Sequence, residues 1–528
     1  MIWFDKCIKK IFTISERSLI FYKNYYANNR FLFIFESMIA ESDYIRVVFG
    51  LKLKQQRQKK NWSLQDLATK TGLSKSYLNE IENGKKYPKH DKIVQLSNAL
   101  SCTFDDLVSS KLDKTLTPIN EILQSDFFKE VPLDLFGINK NNLISIISDA
   151  PKKVTAFINA LIEISQNYNL GKERFYFAVM RSFQELYDNY FPDIEETSMQ
   201  FAKENNLELN KELQTETLGK LLKEKFGYEI RSENFSQDET LNKLRSLFVP
   251  EKKLLLLNER LDVNQKIFIL AKEIGFNVLK LNPRPNTYSW LDFGSFEEIL
   301  NNFYASYFAG CLLISKKELI EKVSDLFYQK EWNADHFEKL IDHFTDSPET
   351  FYYRMTNILS SEFGIKDLFY LCFVKKDGSD KISILKELHL NHQQAPHANA
   401  TNEHYCRRWI AVKNLDHLQE NGSLTSAQIS HYKDQGVSYL VISTSQKNPF
   451  ADGSNRSYCL GILLNNQTIK KINFARSSFL KTIEVGVTCE SCSITNCEVR
   501  QAPPVRLEKE LFNLRMKRAV EKLRKDII

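Results

Sequence analysis

The sequence predicts a multidomain protein with an all-α helix-turn-helix domain, a mostly α-helical middle region and a mixed α/β C-terminal domain. A chain of 528 residues is longer than the roughly 250–300 residues that one hydrophobic core can serve. Apolar residues recur at three- and four-residue spacing to about residue 363, as in helices. Beyond that point, short β-like runs alternate with Gly, Asn and Asp.

Changes in composition along the chain set the predicted domain boundaries. We predict an N-terminal extension at 1–43, a helix-turn-helix domain at 44–110, a linker at 111–118, a helical region at 119–363, an α/β domain at 364–505 and a basic C-terminal helix at 506–528. Charges interrupt every apolar stretch of the extension, and no small-residue cleavage site follows it, unlike a signal peptide. We therefore expect translation to start at Met38.

The basic charge of the chain is concentrated in one short segment. Between Arg46 and Leu100 there are twelve basic and four acidic residues, a net charge of +8, whereas the whole chain has +6. Such a basic segment is typical of a nucleic-acid-binding domain, so we expect double-stranded DNA as a partner. No apolar run approaches the ~18 residues that span a bilayer, so we expect a cytoplasmic protein without membrane contact.

Residues 62–88 have the signals of two short helices joined by a tight turn. Ser63 can cap the first helix, and Asp66 three residues later completes a capping box. Gly72 supplies a left-handed turn residue, and Ser74 caps the second helix. This pattern is typical of a helix-turn-helix, although a generic helical bundle with solvated charges is the alternative.

The start of the second helix is the part of such a module that enters the major groove. Lys can donate to guanine, Asn can pair with adenine, and Glu can accept from cytosine. Two lysines after the helix are placed to contact phosphates. The side chains predicted to face DNA are Lys75, Ser76, Tyr77, Asn79, Glu80, Lys85 and Lys86.

Residues 48–108 resemble the XRE (Cro/C1-type) helix-turn-helix repressors, which have a lambda-repressor-like fold. The resemblance implies base contacts from the start of the second helix and a phosphate contact from Asn83. It also implies a buried ion pair between Arg57 and Glu82, and a homodimer.

The segment KIFILAKEIGFNVL, residues 266–279, has the shape of a zinc-protease helix without its metal ligands. A zinc-protease helix carries His-Glu-x-x-His, because two imidazoles four residues apart can hold one Zn²⁺. Here Lys272 and Phe276 replace both histidines. A protonated Lys has only donors, and Phe has no ligand atom, so Glu273 has no metal-bound water to deprotonate. We therefore expect no enzymatic activity, and we expect Glu273 to pair with Lys272 or Arg284.

NQKIFILAKEIGF and EEILNNFYASYFAGCLL resemble the two core helices of the ImmA/IrrE-type metallopeptidases, which are zincin-like. A catalytic cleft that has lost its metal is still a concave pocket, which favours a sensor for a small-molecule effector. A spacer or dimerisation domain is the alternative. For the whole protein, we expect a transcriptional regulator, and an antitoxin-like or protein-interaction component is the alternative function. The missing zinc ligands disfavour an active metallopeptidase.

Four cysteines form a candidate metal site near the C-terminus. Cys489 and Cys492 have the Cys-x-x-Cys spacing that lets two thiolates face one ion. Cys497 is the candidate third ligand and Cys406 the candidate fourth. We interpret them as a structural Zn²⁺ site, with an iron–sulfur cluster, a redox switch or buried thiols as alternatives.

CRRW and CESCSITNCEVRQAPP resemble the C-terminal domain of the short-chain fatty-acid transcriptional regulators. The resemblance implies a transcription factor that senses a carboxylate or an acyl-CoA-type metabolite. Arg407, Arg408 and Arg500 could then serve an anionic ligand.

Overall fold

The computed structural model describes residues 45–109, except 47, and residues 172–527, with gaps at 211–212, 288–293, 391–402, 419–421, 449 and 451–453. They belong to two compact units, 1–170 and 171–528. The predicted extension at 1–43 with its start at Met38, the linker at 111–118 and the helices predicted for 119–171 lie outside the described residues.

The described residues of the first unit form five helices around one hydrophobic core. These are α1 (48–59), α2 (Leu64–Thr71), α3 (Lys75–Glu82), α4 (His90–Leu100) and α5 (Phe104–Val108). Leu67 of α2 and Leu78 and Ile81 of α3 are fully buried in this core. Gly50 of α1 lets this helix approach closely, because a Cβ there would lie 2.3 Å from the carbonyl oxygen of Ile81.

Local signals in the sequence correctly predict the turn between α2 and α3. Ser63 accepts from the amide of Asp66, whose carboxylate accepts in return from the Ser63 amide, so the capping box is confirmed. Gly72 has a φ of 66°, the left-handed conformation that Gly adopts without steric strain. Ser74 caps α3 by accepting from the amide of Tyr77. The helix-turn-helix is therefore confirmed.

The second unit begins with helices and a small sheet. Its helices up to residue 361 are α6 (Lys172–Leu186), α7 (Pro192–Glu204), α8 (Thr215–Phe226), α9 (Val263–Val278), α10 (Phe296–Leu313), α11 (Lys316–Tyr328), α12 (Ala334–Phe344) and α13 (Pro348–Ser361). The small sheet consists of β1 (Glu229–Glu233), β2 (Ser246–Val249) and β3 (Leu254–Asn258). Its order is β1-β3-β2, with β1 parallel and β2 antiparallel to the central strand.

A mixed six-stranded sheet follows, as predicted for the C-terminal region. Its strands are β4 (Leu368–Lys376), β5 (Ile382–His389), β6 (Ser423–Tyr432), β7 (Val437–Lys447), β8 (Ser454–Leu463) and β9 (Thr482–Val485), in the order β5-β4-β8-β7-β6-β9. Only β9 is parallel to its neighbour. Helix α14 (Ile410–His417) packs on β7 and β8, and α15 (Thr468–Lys471) follows β8.

Helices α9 and α10 form the centre of the middle region. Residues 269–276 of α9 are all buried, and so are most residues of α10. Gly275 is required by their contact, because a Cβ there would lie 3.0 Å from the Ala305 carbonyl oxygen and from the Phe308 ring. This close packing explains why the protease-like helix persists as a structural element.

The C-terminal helix α16 (Val505–Ile527) is exposed along residues 508–525. Phe512, Met516, Val520 and Leu523 form an apolar stripe at helical spacing, and each is about half exposed or more. Across the described residues, no helix is both long enough and apolar enough to cross a membrane.

Candidate functional site

The start of α3 presents a polar surface. Lys75, Ser76 and Asn79 are exposed on this helix, as predicted for base-contacting side chains. Tyr77 is half-buried against the core, so only part of its ring is available to a partner.

The side chains that follow this surface contact one another. Lys86 Nζ lies 2.8 Å from Glu80 Oε2, and both groups are partly exposed. Asn83 Nδ2 donates to Asn79 Oδ1 at 3.0 Å. Lys85 is exposed. A base or phosphate contact by Glu80 or Lys86 would therefore compete with an exposed ion pair, which is weak in water.

The buried ion pair implied by the family resemblance is present. Arg57 donates to both carboxylate oxygens of Glu82, at 2.7 and 2.8 Å, and to the carbonyl oxygen of Trp62 at 2.7 Å. This pair links the end of α1 to the end of α3, and thereby fixes the orientation of α3 relative to α1.

The protease-like helix α9 carries a buried ion pair between Glu273 and Arg284. Glu273 is buried, and its two oxygens accept from Arg284 Nη2 at 2.7 and 2.6 Å. Tyr228 also donates to Glu273, at 3.0 Å. The prediction that Glu273 pairs with a nearby cation is thus confirmed, and the partner is Arg284.

The residues that replace the two histidines have structural roles. Phe276 and Phe248 lie on either side of the Arg284 guanidinium, with ring centroids 4.1 and 4.0 Å from its central carbon. Lys272 donates to Asn302 Oδ1. Burial lowers the pKa of Lys272 well below its usual value; Glu273 opposes this change and Arg284 adds to it. These residues do not fit a zinc ion, because the Arg284 guanidinium engages both oxygens of Glu273 and Phe276 has no ligand atom.

The C-terminal cysteines lie on two segments that pair with each other. Tyr405 and Thr488 form a β-bridge, and Cys406 donates its amide to the Val487 carbonyl oxygen. Burial raises the pKa of Cys406 to about 11, and the nearby Cys489 and Cys492 thiols add to the change.

The third predicted ligand, Cys497, is half-buried. Among the residues that the structure describes, no three His, Cys, Asp or Glu side chains are grouped as ligands of one metal ion. The zinc site therefore stays a prediction.

The three arginines that could serve an anionic ligand are engaged with backbone carbonyl groups. Arg500 donates to the carbonyl oxygens of Cys489, Cys492 and Ile494, so it stabilises the cysteine-rich turn. Arg407 and Arg408 likewise donate to backbone carbonyl oxygens. This use was not predicted, because it depends on how the turn folds.

A buried ion pair elsewhere in the second unit was also missed. Glu195 of α7 accepts from both Nη atoms of Arg354 of α13, with 2.8 Å between Arg354 Nη2 and Glu195 Oε2, and Tyr307 donates to the same carboxylate at 2.9 Å. A cavity of about 300 Å³ lies beside this pair. Its size is at the lower end of the range for small-ligand pockets.

Three family profiles match the chain. Helix-turn-helix matches residues 53–107, IrrE N-terminal-like domain matches 223–356, and Short-chain fatty acyl coenzyme A regulator, C-terminal, matches 386–520. The chain carries these three domains in that order. The XRE-type, IrrE-like and fatty-acyl regulator resemblances in the sequence are confirmed.

Two further proteins are similar to the chain. The "Propionyl-CoA carboxylase regulator" of Cereibacter sphaeroides is 21% identical over 488 residues, covering 88% of this chain and 95% of that protein. A solved structure, "Mycobacterium tuberculosis transcriptional regulator", is 16% identical with a TM-score of 0.43, covering 61% of this chain and 93% of that one. The helix-turn-helix domain and the regulator relative support a DNA-binding, non-enzymatic transcriptional regulator whose middle domain is related to peptidases.

Proposed function

We propose that this chain is a sequence-specific transcriptional regulator that senses a small anionic metabolite, of the carboxylate or acyl-CoA type, through a catalytically dead peptidase-like body. The observation that carries the proposal is the Arg284–Glu273 pair in a chain that also carries a helix-turn-helix domain. An arginine paired with the general base leaves no place for a metal-bound water. The body is therefore available to bind a ligand without cleaving one.

We assign recognition of the DNA sequence to α3. Lys75 and Ser76 are exposed in its first turn, where side chains of such a helix reach base edges. Lys85, immediately after the helix, supplies charge for phosphates and contributes affinity without sequence preference. Loss of the first pair should remove specificity, whereas loss of Lys85 should weaken binding to all sequences.

Metabolite sensing is supported by the C-terminal domain. Its profile is that of short-chain fatty acyl coenzyme A regulators, and a relative that spans most of the chain is named for propionyl-CoA carboxylase. The cavity beside Glu195 and Arg354 adds space for a small molecule.

We also propose a homodimer that binds two half-sites about 34 Å apart. A further proposal is a structural zinc ion at the four C-terminal cysteines, which metal analysis of the purified protein tests directly.

Selection of sheared genomic DNA by the full-length protein tests sequence reading. The Lys75→Ala/Ser76→Ala variant should lose the few enriched promoters. A matched variant, Ser478→Ala/Lys481→Ala, changes an exposed Ser and Lys in the second unit and should keep them. Diffuse enrichment that is equal in all three proteins would contradict the proposal and favour the antitoxin-like or adaptor alternative.

A further inference from the structure

One face of the six-stranded sheet carries a cluster of basic and phenolic side chains. The register places Lys386 of β5 and Tyr458 of β8 opposite Cys372 of β4, one on each side. Residues opposite each other in a sheet point to the same face, and so do residues two apart in one strand. Arg456 and Tyr370 therefore share this face.

Two cations contact the carboxylate of Glu349 near this face, and the charge of a third acts on it. Lys386 Nζ donates to Glu349 of α13, and Arg456 Nη1 lies 3.6 Å from Glu349 Oε2. Arg245 is the third cation whose charge acts on Glu349. Burial raises the pKa of Glu349, but the attraction of Lys386, Arg456 and Arg245 outweighs burial and lowers it to about 2. Glu349 is thus ionised at neutral pH, and two positive charges remain uncompensated within the group.

Among the described residues, the nearest acidic neighbour in sequence does not remove this excess. Glu387, the next residue of β5, points to the opposite face, where it pairs with Arg181 at 3.1 Å. Lys272 of α9 lies close enough to Lys386 to interact electrostatically, but burial lowers the pKa of Lys272 well below its usual value, so it is not counted among the cations of the cluster.

Two side chains of the cluster have buried donors without a hydrogen-bond partner in the described residues. These donors are the hydroxyl of Tyr370 and the Nε–H of Arg456. Tyr370 is 1% exposed, and its hydroxyl lies close enough to Glu349 for the carboxylate to raise its pKa, after burial itself. Buried donors are normally paired, so unpartnered donors beside excess positive charge indicate a site for an acceptor that is an anion.

We propose that Lys386 and Arg456, with the Tyr370 hydroxyl, bind the phosphate group of the effector, and that the charge of Arg245 adds to the attraction. The two uncompensated charges match a phosphate monoester, which carries about −1.5 to −2 at neutral pH, better than a carboxylate with its single charge. The planar guanidinium groups suit phosphate oxygens. This inference rests on the proposed sensing function and names the part of the ligand that this face recognises.

Calorimetric titration of the full-length protein in a phosphate-free buffer tests the site. The probes are inorganic phosphate, coenzyme A as a phosphate-bearing compound, and propionate as a carboxylate. We expect phosphate and coenzyme A to bind competitively, and propionate not to displace them. Lys386→Gln and Arg456→Gln should each weaken binding of both phosphate-bearing probes by about tenfold or more, since one charged hydrogen bond is lost. Lys366→Gln, which removes an exposed lysine paired with Asp188, should leave binding unchanged.

Tyr370→Phe separates a ligand-binding role from a structural one. It removes only a hydroxyl that has no partner within the described residues, so the unfolding temperature should be unchanged or higher. Phosphate binding should nevertheless weaken about fivefold. The proposal is overturned if neither phosphate nor coenzyme A binds, or if both bind equally well to the Lys386→Gln/Arg456→Gln variant.

A promoter-binding assay distinguishes failure of this site from failure of sensing. If a short-chain acyl-CoA changes promoter affinity equally in wild type and in Lys386→Gln, sensing stands and the phosphate site is wrong. If phosphate binding is lost in the variants but no acyl-CoA or carboxylate changes promoter affinity, the phosphate site stands and sensing is wrong.

Discussion

Replacing Arg284 with Ala tests whether an arginine has taken the place of the catalytic metal as the counter-charge of Glu273. The side chains of Arg284 and Glu273 are 13% and 3% exposed, and two bonds of 2.6 and 2.7 Å join them. Arg284→Ala leaves the carboxylate buried with only the Tyr228 hydroxyl as a side-chain donor among these partners. Breaking a buried pair in this way costs about 3–5 kcal/mol. We therefore expect Arg284→Ala to lower the free energy of unfolding of the second unit by about that amount.

The control for this prediction is an exposed ion pair of the same residue types, with nearly the same distance between its charged atoms. Arg231 Nη2 lies 2.5 Å from Glu229 Oε1, but the two side chains are 60% and 54% exposed. Arg231→Ala should change the free energy of unfolding by about 0.5 kcal/mol or less. Urea unfolding followed by far-ultraviolet circular dichroism measures both variants. Equal effects of the two substitutions would refute the view that burial of the Arg284–Glu273 pair holds this site together.

Three further predictions concern other parts of the chain. Gly50→Ala should unfold the helix-turn-helix domain and abolish DNA binding, because its Cβ would lie 2.3 Å from the Ile81 carbonyl oxygen; circular dichroism and a DNA-binding assay of the full chain check this. Burial raises the pKa of Cys406 from 9 to about 11. Without bound metal, its alkylation at pH 8 should therefore be about 100-fold slower than that of an ordinary thiol, and the rate should rise tenfold per pH unit. If a chelator accelerates the alkylation, a bound metal is indicated. The pKa of Glu349 is lowered from 4.5 to about 2. The ionised carboxylate therefore contributes about 3 kcal/mol at most to the free energy of unfolding, and this contribution is complete above pH 4.5 and is lost as the pH falls to 2. Glu349→Gln should flatten this part of a plot of unfolding free energy against pH.

Local signals explain why the helix-turn-helix was predicted nearly to the residue. The capping box of Ser63 and Asp66 and the left-handed Gly72 act within a few residues of one another, so their pattern is visible in the sequence. The loss of the zinc ligands was visible for the same reason, because the metal-binding pattern spans only five residues.

Tertiary contacts account for what the sequence did not reveal. The role of Phe276 depends on Phe248, which comes from β2 and lies on the other face of the Arg284 guanidinium. Glu195 and Arg354 are 159 residues apart. The basic face around Glu349 depends on the register of three strands. None of these pairings leaves a periodic or local pattern in one sequence.

The measurement that tests the account most directly is the affinity of the full-length protein for a selected promoter, with and without a short-chain acyl-CoA, at one fixed salt concentration. We predict that the acyl-CoA changes the affinity by at least about fivefold, the lower end of typical allosteric coupling, and that the Lys75→Ala/Ser76→Ala variant binds the promoter no better than unrelated DNA. Promoter affinity that is the same with every short-chain acyl-CoA and carboxylate tested would contradict the claim that this body senses such a metabolite.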